Sequence, residues 1–261
     1  MKQRVITAVI ALIIFIPLIV IGGLPLTIAA LALGIIAVDE ILIMKKILLV
    51  SFEAIMTNIG VLLLIIPDSW LSFLPTDINR FFLFYVVAII LAVNTVTKKG
   101  RFTFDDAGVL TLAMLYVGTG FHYFVAARGD GFTTLLFGML IVWLTDSGAY
   151  MIGRKLGKHK LAPKVSPNKT WEGSVGGTIA ATIILAVYLM FFPVGYDWIV
   201  MVILTLILSI VGQFGDLVES ALKRFYGVKD SGKILPGHGG ILDRFDSMLL
   251  VMPMLHLLGV I

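Results

Sequence analysis

The chain has 261 residues, of which 59% are hydrophobic and 14% charged, with a formal net charge of +4 and a mean hydropathy of +1.04. A soluble domain is nearer half apolar and a quarter charged, so an ordinary water-soluble fold is excluded. The absence of cysteine also excludes disulfides, a thiolate nucleophile and cysteine-ligated zinc.

Several apolar runs reach the ~20 residues a helix needs to cross a bilayer. They are continuous rather than alternating, which argues against a transmembrane barrel. The expected fold class is all-α: a polytopic helical membrane protein with about nine transmembrane helices. In chain order the spans are expected at about 5–21, 25–43, 47–66, 81–97, 108–126, 132–152, 174–192, 198–217 and 242–260. Lys2 and Arg4 precede the first run, and Ala30 and Ala32 give a small-x-small pattern, as a signal peptide would. The long apolar stretch and the spans that follow favour an uncleaved first span. Pro17 and Pro25 flank the first turn, Pro67 and Pro75 bracket a loop, and Pro193 marks another. No linker or low-complexity tract stands out, so 1–261 reads as a single integral membrane domain. It has N-terminal spans in 1–130 and a C-terminal part, 131–261, that carries most of the polar motifs. A weak inverted repeat of the transporter kind stays open.

Basic residues set the expected orientation. With the N-terminus in the cytoplasm, Lys2, Arg4, Lys45, Lys46, Lys98, Lys99, Arg101, Arg154, Lys155, Lys158, Lys160, Lys164, Lys169, Lys223, Arg224, Lys229, Lys233 and Arg244 fall inside. That is 18 of 20, with only Arg80 and Arg128 outside. Nine spans place the C-terminus outside. Two long cytoplasmic loops are expected, at about 153–173 and 218–241.

This topology gathers scattered acids at one depth. Asp146 lies near the cytoplasmic end of the sixth span and Asp216 near that of the eighth. Asp243 and Asp246 open the ninth. Asp243 and Asp246 are three apart, a spacing that shares one helical face. Carboxylates so placed repel unless a cation or proton sits between them. With oxygen ligands and no cysteine, Mg²⁺ suits Asp146, Asp216, Asp243 and Asp246 best. The alternative, acids complementing a helix N-terminus, accounts for one aspartate and poorly for Asp146 and Asp216.

Lys223, Arg224, Lys229 and Lys233 follow closely, as phosphate ligands or, for Lys233 equally, as charge facing anionic lipid. Pro236 to Gly240 reads P-G-H-G-G, a turn whose N–H groups can meet an anion or a plain glycine-rich turn. The role of His238 there stays open. The other loop holds Ser166, Lys169, Thr170, Trp171 and Glu172. Lys169, Thr170 and Glu172 either contact a nucleotide or order the loop, and Trp171 serves equally as an interfacial anchor. Neither a P-loop nor a G-x-G-x-x-G fingerprint is present. Asp39, Glu40, Glu53 and Asn94 line the same cavity or satisfy one another. His122 and His256 read as structural, and the loop with Asp68, Trp70 and Asp77 as interfacial chain.

The stretch Ser220–Asp246 resembles the signature of the phosphatidate cytidylyltransferase (CDP-diacylglycerol synthase) family. The pattern runs S-x-apolar-K-R, then K-D, then P-x-H-G-G-apolar-x-D-R-apolar-D. The matching positions are Ser220, Lys223, Arg224, Lys229, Asp230, Pro236, His238, Gly239, Gly240, Asp243, Arg244 and Asp246. The family's S-P-x-K-T-x-E-G segment appears as Ser166–Gly173. The resemblance implies that CTP and phosphatidate give CDP-diacylglycerol and pyrophosphate with Mg²⁺, a second cation staying open. It implies catalytic roles for Asp216, Lys223, Arg224, Lys229, His238, Asp243 and Asp246. Ser166, Lys169, Thr170, Glu172, Ser220, Asp230, Gly239, Gly240 and Arg244 would bind substrate. The lipid phosphate is largely ionised near pH 7, so the nucleophile needs little general-base help, and Ser220 is read as a hydrogen-bond donor or cap. The expected partners are CTP, phosphatidate and membrane lipid, with no nucleic acid, in a bacterial inner or plasma membrane with the site facing the cytoplasm. A homodimer is a further expectation.

Two rivals fit less well. A transporter would carry intramembrane charge toward the outer face, whereas these acids cluster at one edge. A CDP-alcohol phosphotransferase would carry D-x-x-D-G-x-x-A-R, but Asp246 is followed by Ser247.

Overall fold

The computed structural model describes residues 2–75, 78–97 and 100–261, and the side chains among these except those of residues 2–5 and 8. Asp77, Lys98 and Lys99, and the side chains of Lys2 and Arg4, lie outside the described residues. Ten α-helices are found among them: α1 (Lys2–Ile21), α2 (Gly23–Met44), α3 (Phe52–Ile65), α4 (Arg80–Thr97), α5 (Phe104–Asp130), α6 (Phe132–Leu156), α7 (Trp171–Phe191), α8 (Trp198–Phe225), α9 (Leu242–Phe245) and α10 (Met248–Leu257). A hairpin of β1 (Lys160–Ala162) and β2 (Ser166–Thr170) sits between α6 and α7.

Among the described residues, six helices are long and apolar enough to cross a membrane: α2, α4, α5, α6, α7 and α8. Three further apolar stretches are shorter: Val9–Ile21, Phe52–Ile65 and Met248–Leu257. The protein is therefore a helical, multi-pass membrane protein. Exposed Ile, Val and Phe side chains along α1, α4 and α7 are what lipid-facing helices require, since lipid tails are as apolar as these side chains.

The ninth expected span differs most. It is broken after Phe245, and α10 runs only from Met248 to Leu257. Oδ1 of Asp246 accepts from the N–H of Ser247 at 2.7 Å, a local bond that competes with helical pairing. The third span is also shorter than expected. Lys46 takes a left-handed conformation (φ 62°), and Ser51 caps α3 through the N–H of Ala54 at 3.2 Å. In the opposite direction, α8 continues through Lys223 and Arg224. The S-x-apolar-K-R opening of the signature is thus helix rather than loop.

The chain divides into two compact units. The first comprises Met1–Val125 with Asp230–Asp243. In it α2 packs on α3 and α3 on α4. Gly34, Gly60 and Gly118 allow close approach: a methyl group there would collide with Ile65, Met114 and Leu64 respectively. Thr103 and Asp106 form a reciprocal cap on α5, with N–H to side-chain distances of 2.7 and 3.2 Å, and Asp106 also pairs with Lys45. At the other end of α4, buried Arg80 pairs with Asp68 at 2.5 Å and meets the ring of His122.

The second unit comprises Ala126–Lys229 with Arg244–Ile261. Its core is α6 against α7, joined by α8 and α10. Gly148 and Gly177 face each other, so the α6 and α7 backbones nearly touch, as small residues allow in membranes. A chain of hydroxyls ties the three long helices together. Thr145 bonds Ser209 at 2.8 Å, Ser209 donates to Thr178 at 3.0 Å, and Gln213 donates to Thr178 at 2.9 Å.

Candidate active site

In the second unit, helix α8 presents Asp216, Glu219, Ser220 and Lys223 at successive three- and four-residue steps, which puts them on one face. Ser220 Oγ donates to Asp216 Oδ1 at 3.1 Å, the donor role expected for it. Lys223 pairs with Glu219, whose side chain is fully buried. A bare buried carboxylate is costly, and this pair offsets it. Lys169 reaches Asp216 Oδ2 at 2.6 Å from the end of the hairpin. Gly215 packs so closely on the backbone of Asp246 and Ser247 that a Cβ would lie 2.7 Å from Asp246 O and Ser247 Cα. That approach brings the Asp246 carboxylate into electrostatic contact with Asp216, and Asp146 of α6 interacts with both. Three of the four expected metal-type acids therefore lie within electrostatic reach of one another, with Lys169 and Lys223 as the nearby cations.

The hairpin explains itself locally. Thr170 caps α7 through the N–H of Gly173 at 3.2 Å. Glu172 accepts from the N–H groups of Lys158 and His159 and pairs with the His159 ring at 2.6 Å. Both residues order the loop in this structure, one of the two roles the sequence left open. Gly153 and Gly157 lie against Thr170, where larger residues would collide. Arg224 donates from Nε to Val165 O at 3.2 Å and from Nη1 to Val228 O at 3.0 Å. Its guanidinium thus clasps the hairpin tip and the turn after α8. Lys229 and Arg244 are exposed, and Ser166 is half-buried in β2.

In the first unit, the glycine turn is built around two acids. Asp243 Oδ2 accepts from the N–H groups of Ser231 at 2.9 Å and Gly240 at 2.8 Å. Glu40, buried in α2, accepts from Ser231 Oγ at 2.7 Å and from the N–H groups of Ile241 and Leu242 at 2.8 and 2.9 Å. Gly239 has φ +82°, and a side chain there would strike Asp243. Leu235 and Gly239 form a bridge, and Nδ1 of His238 is buried with no hydrogen-bond partner among the described residues. Asp230 and Lys233 are exposed. α9 ends at Phe245, so Asp246 lies in the turn that follows and not on one continuous helix with Asp243.

Two further acids of this unit each accept from an asparagine amide. Asn58 donates to Asp39 at 2.9 Å and Asn94 to Glu53 at 2.9 Å. Among the described residues, no group of three or more His, Asp or Glu is set to hold a metal by itself. The donors of the second unit nonetheless fit Mg²⁺. They are carboxylates that repel one another, and Mg²⁺ commonly takes one or two carboxylates together with substrate phosphate oxygens. Sequence reasoning missed Glu219, which a Glu-Lys spacing of four flags once α8 is known to continue. It also missed the Thr178–Gln213 network, whose hydroxyls sit in apolar runs with no pattern to mark them.

The profile of the cytidylyltransferase family matches residues 2–261. The chain belongs to that family. It is similar to the phosphatidate cytidylyltransferase of Bacillus subtilis (strain 168), with 46% identity over 99% of this chain and 97% of the relative. The enzyme of the same name from Staphylococcus haemolyticus is 46% identical, over 99% of this chain and 98% of that protein. The one from Staphylococcus aureus (strain COL) is 44% identical over the same shares. In this cytidylyltransferase, Asp243 and Asp246 belong to the signature stretch, and Asp216 and Glu40 each accept from one of its serines.

Proposed function

We propose that the protein is a CTP:phosphatidate cytidylyltransferase. A phosphatidate oxygen attacks the α-phosphorus of CTP, and the bond to the β-phosphate breaks. Pyrophosphate leaves and CDP-diacylglycerol forms. The observation that carries this reading is the meeting of Asp146, Asp216 and Asp246 with Lys169, in a chain similar along its length to enzymes of that name.

Both reactants are anionic, so bringing them together is part of the barrier. Lys169 and Lys223 supply cationic heads for the triphosphate and the lipid phosphate, and transition-state charge is stabilised where such donors are held in place. Lys229, exposed in the turn after α8, is a further cation for the polyphosphate. Ser220 holds Asp216 in one orientation through its hydroxyl. Arg224 keeps the hairpin, and with it Lys169, against α8. Asp146, Asp216 and Asp246 are the residues that would hold Mg²⁺. Bound there, the cation would neutralise charge shared by the attacking and leaving oxygens. The distribution of basic residues favours a cytoplasmic N-terminus and a site at the cytoplasmic edge of the membrane, where CTP and a leaflet lipid both have access.

The test is pyrophosphate release by the purified protein in detergent with Mg²⁺. Release that needs CTP and phosphatidate together supports the reading. No release, or release from CTP alone at the same rate, overturns it.

A further inference from the structure

We propose that Glu40, 191 residues before Ser231, is a positioning residue that fixes the glycine turn and presents Asp243. This rests on the reading of that turn as part of the cytidylyl-transfer machinery. Glu40 is buried in α2, and its three partners are neutral donors from 231–242: the Ser231 hydroxyl and the N–H groups of Ile241 and Leu242. A carboxylate accepting from N–H groups makes the stronger, charge-assisted kind of hydrogen bond. It also satisfies two N–H groups at the start of α9 that a helix this short leaves without internal partners.

The Ser231 hydroxyl links the two acids. Its oxygen lies 2.7 Å from Glu40 Oε2 and 3.0 Å from Asp243 Oδ2, and it accepts from the N–H of Asp243 at 3.4 Å. A hydroxyl has one proton, so the two carboxylates share it. The orientation of Asp243 therefore depends on where Glu40 holds Ser231.

The glycines agree with this arrangement. A Cβ on Gly232 or Gly240 would collide with the Glu40 carboxylate. The turn is shaped to admit a side chain from a helix distant in sequence, and nothing in the local pattern of 231–243 would supply that support. Outer hydrogen-bond partners of this type orient ligands and, when removed, cost about 10- to 100-fold in activity.

The experiment uses the full-length protein in detergent, with two readouts: steady-state cytidylyl transfer, and trypsin cleavage after Lys233, which lies exposed in the turn. Glu40→Gln keeps the shape but sets an NH₂ group against N–H donors. It is expected to lower kcat about 10- to 100-fold while the KM for CTP changes little. Cleavage after Lys233 should quicken, because local opening is what admits the protease, and the melting temperature should stay close to that of the parent. Ser231→Ala should shift both readouts the same way. The double variant should be no worse than Glu40→Gln alone, as groups acting through one bond are not additive.

A purely architectural Glu40 would lower the melting temperature and leave kcat of the folded fraction intact, which overturns the proposal. Parent-like kcat and cleavage overturn it as well. If Glu40→Gln fails to fold, Ser231→Ala decides by the same two readouts, and a parent-like result sinks the idea. If the parent itself transfers no cytidylyl group, the function reading falls. Cleavage then decides alone: unchanged rates in both variants overturn the positioning role, and faster rates support it.

Discussion

The two units use the same side chain in opposite ways. In the first, the carboxylates of Glu40 and Asp243 receive backbone N–H groups and a serine hydroxyl. In the second, Asp146, Asp216 and Asp246 lie within electrostatic reach of one another, and Asp216 is met by the amine of Lys169. Acids held by fixed backbone donors shape a turn. Acids that repel one another beside lysine amines are suited to exchange partners with a cation and phosphates. A residue's type within a motif therefore does not state its role; its partners do.

The comparison is broken most severely in the second unit. Asp216→Asn and Asp246→Asn should each lower turnover by about 10²–10⁴-fold, since a metal contact to transition-state charge contributes several kcal/mol. Trypsin cleavage after Lys233 should not change in either variant. Asp243→Asn should lower turnover and also quicken that cleavage, because its Oδ2 accepts from Ser231 and Gly240. Fast cleavage in Asp246→Asn, or protected cleavage in Asp243→Asn, would erase the contrast.

Lys169→Ala comes next. It should reduce kcat/KM for CTP about 10²-fold, the scale for removing one preorganised charge-stabilising donor. CTP and dCTP should suffer alike, because Lys169 is assigned to phosphate and not to the sugar. A loss confined to dCTP would remove that assignment. Gly215→Ala tests the close approach of α8 to Asp246 and should destabilise by about 1–3 kcal/mol through overpacking, read as a lower melting temperature in detergent. A stable, fully active variant would mean the approach is not needed. The smallest effect is expected for Thr178→Val, which removes acceptors for Ser209 and Gln213. Hydrogen bonds between membrane helices average about 0.6 kcal/mol, so a loss well above that would show the network carries more than packing.

The helices were legible because long apolar runs leave few alternatives once backbone groups must be satisfied inside lipid. Eight of the nine expected spans correspond to a continuous helix. The ninth breaks at Asp246 and Ser247, where a side chain bonds its own backbone, and hydropathy is blind to that. Extension of α8 through Arg224 was hidden because Lys223 and Arg224 end an apolar run without ending a helix. Within the site, motif spacing pointed to Asp216, Ser220, Lys223 and the glycine turn. It was silent on who meets whom. The pairing of Lys169 with Asp216 and of Glu40 with Ser231 joins residues 47 and 191 positions apart, and one sequence carries no local trace of such contacts. Arg224 shows the limit from the other side: the expected phosphate ligand clasps the carbonyls of Val165 and Val228, which only the folded hairpin reveals.

The most direct measurement follows the label from CTP into lipid. Purified protein is incubated with phosphatidate, Mg²⁺ and CTP labelled either at the α- or at the γ-phosphorus, and the products are extracted into organic solvent. The account predicts α-label in the solvent phase in proportion to phosphatidate consumed, and γ-label only in aqueous pyrophosphate. Asp216→Asn should slow the appearance of α-label in lipid by about 10²–10⁴-fold. γ-Label in the lipid, or no label there with the folded protein, would contradict it.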